Sequence, residues 1–230
     1  MIEIIAVLVI GVFLTGTVWY IPVLWRGAIK PAPATWIIGT VALNISSLSY
    51  FAAAKGTLQE KVVGNVLLLG ATVEITVVTA VFLVSLWWRG ELKVAFDWFQ
   101  KLCFMGMFLA LTPWLYDHKN AYLTFWTTQL LFVVAYFATI GKVRARKASI
   151  DSLVHWSSIF LASLLGAIPA WSRGNIYGEI NSVRSILSSG GLLFLLFYFD
   201  KKNGWEQWRR EFAVWKRSFN VFGIAPEREM

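Results

Sequence analysis

The stretch YIPVLWRGAIKPAPATWIIG, residues 20–39, sets three prolines and two basic side chains between two apolar runs. Pro22, near the end of the first run, removes a backbone donor and should bend a helix there. Pro31 and Pro33 suit a connection and the first turn of the next helix, where a missing N–H goes unused anyway. The flanking runs are long enough to span a membrane. The stretch therefore reads as the turn of a helical hairpin rather than as a surface loop of a soluble domain.

Composition agrees. Of 230 residues, 57% are hydrophobic and 15% charged, against about 45–50% and about 25% in a soluble domain. Mean hydropathy is +0.61. The 13 Trp suit the two membrane interfaces, where an amphipathic ring is half wet. A net charge of +8 fits basic cytoplasmic loops and anionic lipid, and nucleic acid is not expected as a partner. The single cysteine, Cys103, excludes an internal disulfide and reads as a small buried hydrophobe. The N-terminal run lacks a basic leader and a small-residue cleavage site, so it is expected to stay as the first helix.

Seven stretches are apolar enough to be candidate spans: 4–25, 33–54, 62–88, 98–116, 121–141, 153–171 and 180–199. The third is overlong, and the fourth carries Lys101 at one end and Pro113 at the other. Short connections predict antiparallel neighbours. The connections around 26–32, 89–101 and 142–150 and the tail after Phe199 collect most of the Lys and Arg. The positive-inside rule then puts the N-terminus outside and the C-terminus in the cytoplasm.

The second and sixth spans begin alike, APATWIIG against DSLVHWSS, which sets Trp36 against Trp156. They also end alike, AAAKGTL against AWSRGNI, which sets Gly56 against Gly174. Each is preceded by a basic connection. Spans one to three thus repeat as spans five to seven. Three helices reverse the chain, and one linker helix restores the direction. The expected fold is an all-α membrane protein. It comprises a first three-helix bundle at 1–88, a linker helix at 89–120, a second bundle at 121–200 and an amphipathic cytoplasmic tail at 201–230.

This plan, with residues 20–39 as its specific part, resembles the PQ-loop superfamily: the SWEET sugar transporters, the lysosomal amino-acid carriers and the Pnu-type vitamin-precursor transporters. It looks most like bacterial members with a basic-Lys-Pro-x-x-x-Thr/Ser-Trp signature. In this chain Pro22 is followed by Val23, so the Pro-Gln pair itself is missing. The resemblance implies a solute cavity between the bundles, proline hinges such as Pro22 near a gate, and aromatic rings near the cavity. It also implies a bacterial inner or plasma membrane. Trp36 and Trp156 are then gate candidates, with interfacial anchoring as the competing role.

Polar groups within apolar spans are costly and usually face protein or water. Glu74, mid-span in LLLGATVEITVVTA, stands out: charged it needs a partner, neutral it must hold a proton. It reads either as a pathway carboxyl or as a hydrogen-bond node between helices. Arg184 lies toward the outer end of span seven, about 10 Å of depth away at 1.5 Å per residue, so a direct pair is not expected. Asn44, Asn65, Gln129 and Asn181 complete the candidate lining and suit a neutral polyhydroxy or amide-bearing solute. His155 heads span six without a second ligand at metal-binding spacing, and His118 falls in an outer loop.

In the tail, Trp205, Trp208, Phe212, Trp215 and Phe219 recur at helical spacing with Arg209, Arg210, Lys216 and Arg217 beside them. That reads as a helix in the headgroup plane, or as a docking surface for another subunit. With no nucleotide motif and no hydrolytic arrangement, a transporter of small polar solutes is expected, not an enzyme, with no cofactor and no metal. Its partners are solute and lipid, with a homo-oligomer or larger assembly open. The alternative is a non-transporting integral subunit of a larger complex, respiratory or photosynthetic for example.

Overall fold

The computed structural model describes residues 2–53, 57, 65–91, 98–117, 120–172 and 176–221. Among them are eight helices and no strand. They are α1 (Ile2–Trp25), α2 (Pro33–Ala53), α3 (Val66–Trp88), α4 (Trp98–Tyr116), α5 (Ala121–Arg146), α6 (Leu153–Ser172), α7 (Ile176–Lys202) and α8 (Glu206–Val221). Six of these, all but α4 and α8, are long and apolar enough to cross a bilayer, which marks an integral membrane protein. The expected fourth span is a helix but not one of the six, because Gln100, Lys101, Thr112 and Pro113 dilute its apolar run. The Gly56–Gly174 pairing and His118 lie outside the described residues.

The six apolar helices close a ring in the order α1, α3, α2, α5, α7, α6, and α4 packs outside it against α5 and α2. Lipid tails give helices no hydrophobic reason to associate, so close approach and cross-helix hydrogen bonds must hold the ring. Gly16 lets α1 meet α6: a Cβ there would come within 2.7 Å of Ser158 Cβ. Hydroxyl pairs join α2 to α5 (Thr35–Thr139, 2.6 Å), α2 to α3 (Ser47–Thr72, 2.6 Å) and α6 to α7 (Ser163–Ser185, 2.7 Å). Such bonds contribute roughly 0.6 kcal/mol each in a membrane, so it is their number that matters. Val7, Leu14, Val18, Phe108, Leu187 and Phe194 point outward, as a lipid-facing surface requires.

Pro22 lies inside α1, which runs on to Trp25, and Pro33 is the first residue of α2. The opening stretch is no solvated loop: Pro31 through Trp36 are buried. Arg89 Nη1 donates to the carbonyls of Leu24 and Trp25 at 3.1 Å each, at the end of α1, where Leu24 O also accepts from Gly27 N at 3.0 Å. Lys142 Nζ donates to Pro31 O at 2.8 Å, and Lys30 N to Ile150 O at 3.0 Å, which ties the two basic connections together. Part of the basic charge therefore serves helix ends rather than lipid.

α8 leaves α7 through a tight turn with Gly204 at φ 67° and Trp205 at φ 61°. Asp200 caps it, accepting from Gln207 N at 2.9 Å and Trp208 N at 3.2 Å. Its inner face then docks across the end of the bundle. Gln207 Nε2 donates to Ala28 O at 3.1 Å, and Trp19 of α1 stacks on Trp215 at 4.9 Å and on Trp208 at 6.1 Å.

Candidate functional site: a cavity inside the helix ring

A cavity of about 80 Å³ lies among α1, α2, α3, α5, α6 and α7. Most of its wall is apolar, including Phe13, Leu43, Leu68, Ile75 and Phe132. Two ionisable side chains interrupt that wall, Glu74 from α3 and Arg184 from α7, with Asn181 and Tyr136 beside them.

Glu74 is buried and meets two helices. Its Oε1 lies 3.5 Å from Nδ1 of His155 on α6 and 3.5 Å from the hydroxyl of Thr17 on α1. That hydroxyl also donates to Phe13 O at 2.9 Å, so its single proton serves one acceptor at a time. Glu74 thus sits against an imidazole across a helix seam, in a place where an isolated charge costs about 2.5–3.5 kcal/mol or more.

Arg184 has a different neighbourhood. Its guanidinium lies 3.8 Å above the Phe132 ring, and Nη2 donates to Asn181 Oδ1 at 2.7 Å. Among the described residues Nε is buried without a partner, and no ion pair to Arg184 forms.

Toward α8 an aromatic layer closes the cavity. Trp36 and Trp156 stand 6.3 Å apart by ring centroids, and Tyr136 reaches Trp156 at 5.6 Å. His155 stacks on Tyr20 at 4.1 Å and tilts against Trp36 at 5.4 Å. Both indoles are buried, at 3% and 4% exposure, so neither is positioned as an interfacial anchor.

Beneath that layer runs a second polar group. Tyr20 Oη donates to Asp151 Oδ1 at 2.8 Å, and Ser152 N donates to the same oxygen at 2.9 Å. Ser152 Oγ donates to Glu211 Oε2 on α8 at 2.6 Å, and Trp19 Nε1 to that oxygen at 3.3 Å. Burial pushes the Asp151 carboxyl up to about 6, against the pull of hydrogen bonds from Tyr20 and Ser152 and of the Lys142 charge. Burial likewise pushes the Glu211 carboxyl up to about 7. Bonds from Ser152, Trp19 and Gln207 lower it without offsetting the desolvation, and the Asp151 charge adds to the rise.

Of the lining candidates read from the sequence, Glu74 and Asn181 reach this cavity, and Trp36 and Trp156 bound it. Asn44 does not: its amide donates to Thr40 O at 2.9 Å and to Thr76 Oγ1 at 3.2 Å, on the seam of α2 and α3. Asn65 is the residue before α3 and borders a separate small pocket with Gly166, Pro169 and Ser182. Gln129 is buried in α5 away from the lining, with Oε1 unpartnered among the described residues. The residues the sequence did not single out are Thr17, Tyr20, Tyr136, Asp151, Ser152 and Glu211. Glu211 was detectable, since it lies on the helical stripe of Trp208, Phe212 and Trp215 rather than on the basic face. Asp151 was also detectable, as the lone acid in a basic connection one helical turn before His155.

Comparison of the chain with known protein families, with characterised proteins and with solved structures gives no match.

Proposed function

We propose that this protein moves a small polar solute across the membrane through the cavity in its helix ring, on a PQ-loop or SWEET-like plan. The observation that carries this reading is the pair of ionisable groups, Glu74 and Arg184, walling one intramembrane cavity from opposite sides of the ring. Intramembrane charges are retained mainly where a pathway uses them. The packing order supports the plan. Exchanging α1 with α5, α2 with α6 and α3 with α7 maps the ring onto itself, and α4 stands apart as a linker would. In this reading α4 is the seventh span, residues 1–88 and 121–200 are the two bundles, the N-terminus is outside and α8 is cytoplasmic. The Trp36–Trp156 contact is the closed cytoplasmic gate, and Pro22 is a hinge beside it.

The reading is tested by reconstituting the full chain in proteoliposomes and following uptake of a panel of labelled small solutes. Saturable flux supports it. A stable stoichiometric partner on purification and no flux would instead favour a subunit of a larger assembly. Two variants refine the test. Trp36→Ala should open the gate and raise passive leak several-fold. Glu74→Gln removes a titrating group in the wall, and the pH dependence of flux should flatten. An unchanged pH profile would reduce Glu74 to a structural node.

A further inference from the structure

The wall of the cavity narrows the solute. It offers one guanidinium, that of Arg184, that meets no carboxylate among the described residues: Nη2 donates to Asn181 Oδ1, and Nε has no partner there. Phe132 beneath the guanidinium keeps that plane fixed. A flat guanidinium without an anionic partner is a docking group for a carboxylate. Around it the surface is apolar, with Leu68, Ala71, Ile75 and Phe132. The volume, about 80 Å³, is roughly half that of an engineered cavity that holds benzene. That is room for only a few heavy atoms. A polyhydroxy solute would need more volume and more polar partners than this wall provides. A simple cation would meet Arg184 unfavourably.

We infer that the cavity takes a short-chain monocarboxylate, with its carboxylate drawn to the Arg184 guanidinium in the wall and its two- to three-carbon body against the apolar surface. The inference deepens the transport reading and rests on it for the role of the site, although binding can be read without flux. Glu74 lies toward the other end of the solute, held by His155 and Thr17.

The test uses the full chain in lipid nanodiscs with two isosteric probes, propionate and propionamide, read by calorimetry and by shift of the thermal midpoint. Propionate should bind at least tenfold more tightly than propionamide. Arg184→Gln should abolish the preference, and Arg184→Lys, which keeps the charge but loses the flat edge, should retain part of it. The thermal midpoint without probe checks that each variant is folded, and the lysine variant keeps the comparison open where the glutamine variant is not. Equal binding of the two probes overturns the inference, as does propionate binding indifferent to both substitutions. Flux of a neutral solute without any propionate binding would overturn the inference and leave transport standing. Propionate bound without flux in proteoliposomes would support the site and remove the transport reading.

Discussion

Raising the pH from about 5 to about 8 is expected to loosen α8 from the end of the bundle by on the order of a hundredfold. Glu211 is fully buried against Ser152, Trp19 and Gln207 when α8 is docked, and burial raises its carboxyl to about 7. Undocked, in water, the same carboxyl returns to the ordinary range near 4.5. The docked state therefore binds a proton that the undocked state has released. A group raised in this way stabilises docking fully below its ordinary value, and that contribution fades as pH climbs through its docked value. The nearby Asp151 charge adds to the rise of Glu211 in the docked state. Protection of the α8 amides, 206–221, against hydrogen exchange is the measurement, corrected for intrinsic exchange at each pH. Protection should fall across the window from about 5 to about 8. Glu211→Gln, which is neutral throughout, should hold α8 at every pH, and Glu211→Ala should release it at every pH. A flat profile in the wild type, or the same slope in Glu211→Gln, would count against the carboxyl as the cause.

Gly16→Val should be the most damaging single change in the ring. The seam between α1 and α6 is close because Gly16 has no side chain: its first added carbon would sit 2.7 Å from Ser158 Cβ, with the Ser158 hydroxyl nearer still. Those are rigid positions on two helices, so the backbones must part. Overpacking of this kind costs about 1–3 kcal/mol, occasionally more. The damage extends to the site, because His155 Nδ1 lies 3.7 Å from the same position and α6 carries that ring to Glu74. Gly11→Ala is the matched control, since nothing lies within 4 Å of a Cβ there. In detergent, Gly16→Val should lower the thermal midpoint by several degrees and broaden the size-exclusion profile, whereas Gly11→Ala should change neither. A Gly16→Val protein as stable as the wild type would show that the two helices separate freely.

The helices were legible because continuous apolar runs of this length have few other uses. Their arrangement was not. A helix that is apolar on every side carries no stripe to say which face meets lipid and which meets protein, since both surroundings are greasy. Glu74 could be picked out as a lone acid, but its partner His155 sits on a helix distant in sequence, and only the ring order brings them together. Asn44 illustrates the converse. Its amide bonds to a carbonyl one turn back in its own helix, so a polar residue in a span need not look toward a cavity. In sequence the basic connections look like lipid-facing charge, whereas Arg89 and Lys142 donate to backbone oxygens.

The stack of Trp19 with Trp215 and Trp208 has a use beyond holding α8. Indoles this near share their electronic transitions, so the chain carries a built-in optical gauge. The ultraviolet circular dichroism should contain a contribution from the Trp19 stack that a Trp19→Phe variant lacks, beside that of the Trp36–Trp156 pair. Its amplitude would follow the seating of the tail in an unlabelled, unmodified sample, down to the millisecond after a jump in conditions.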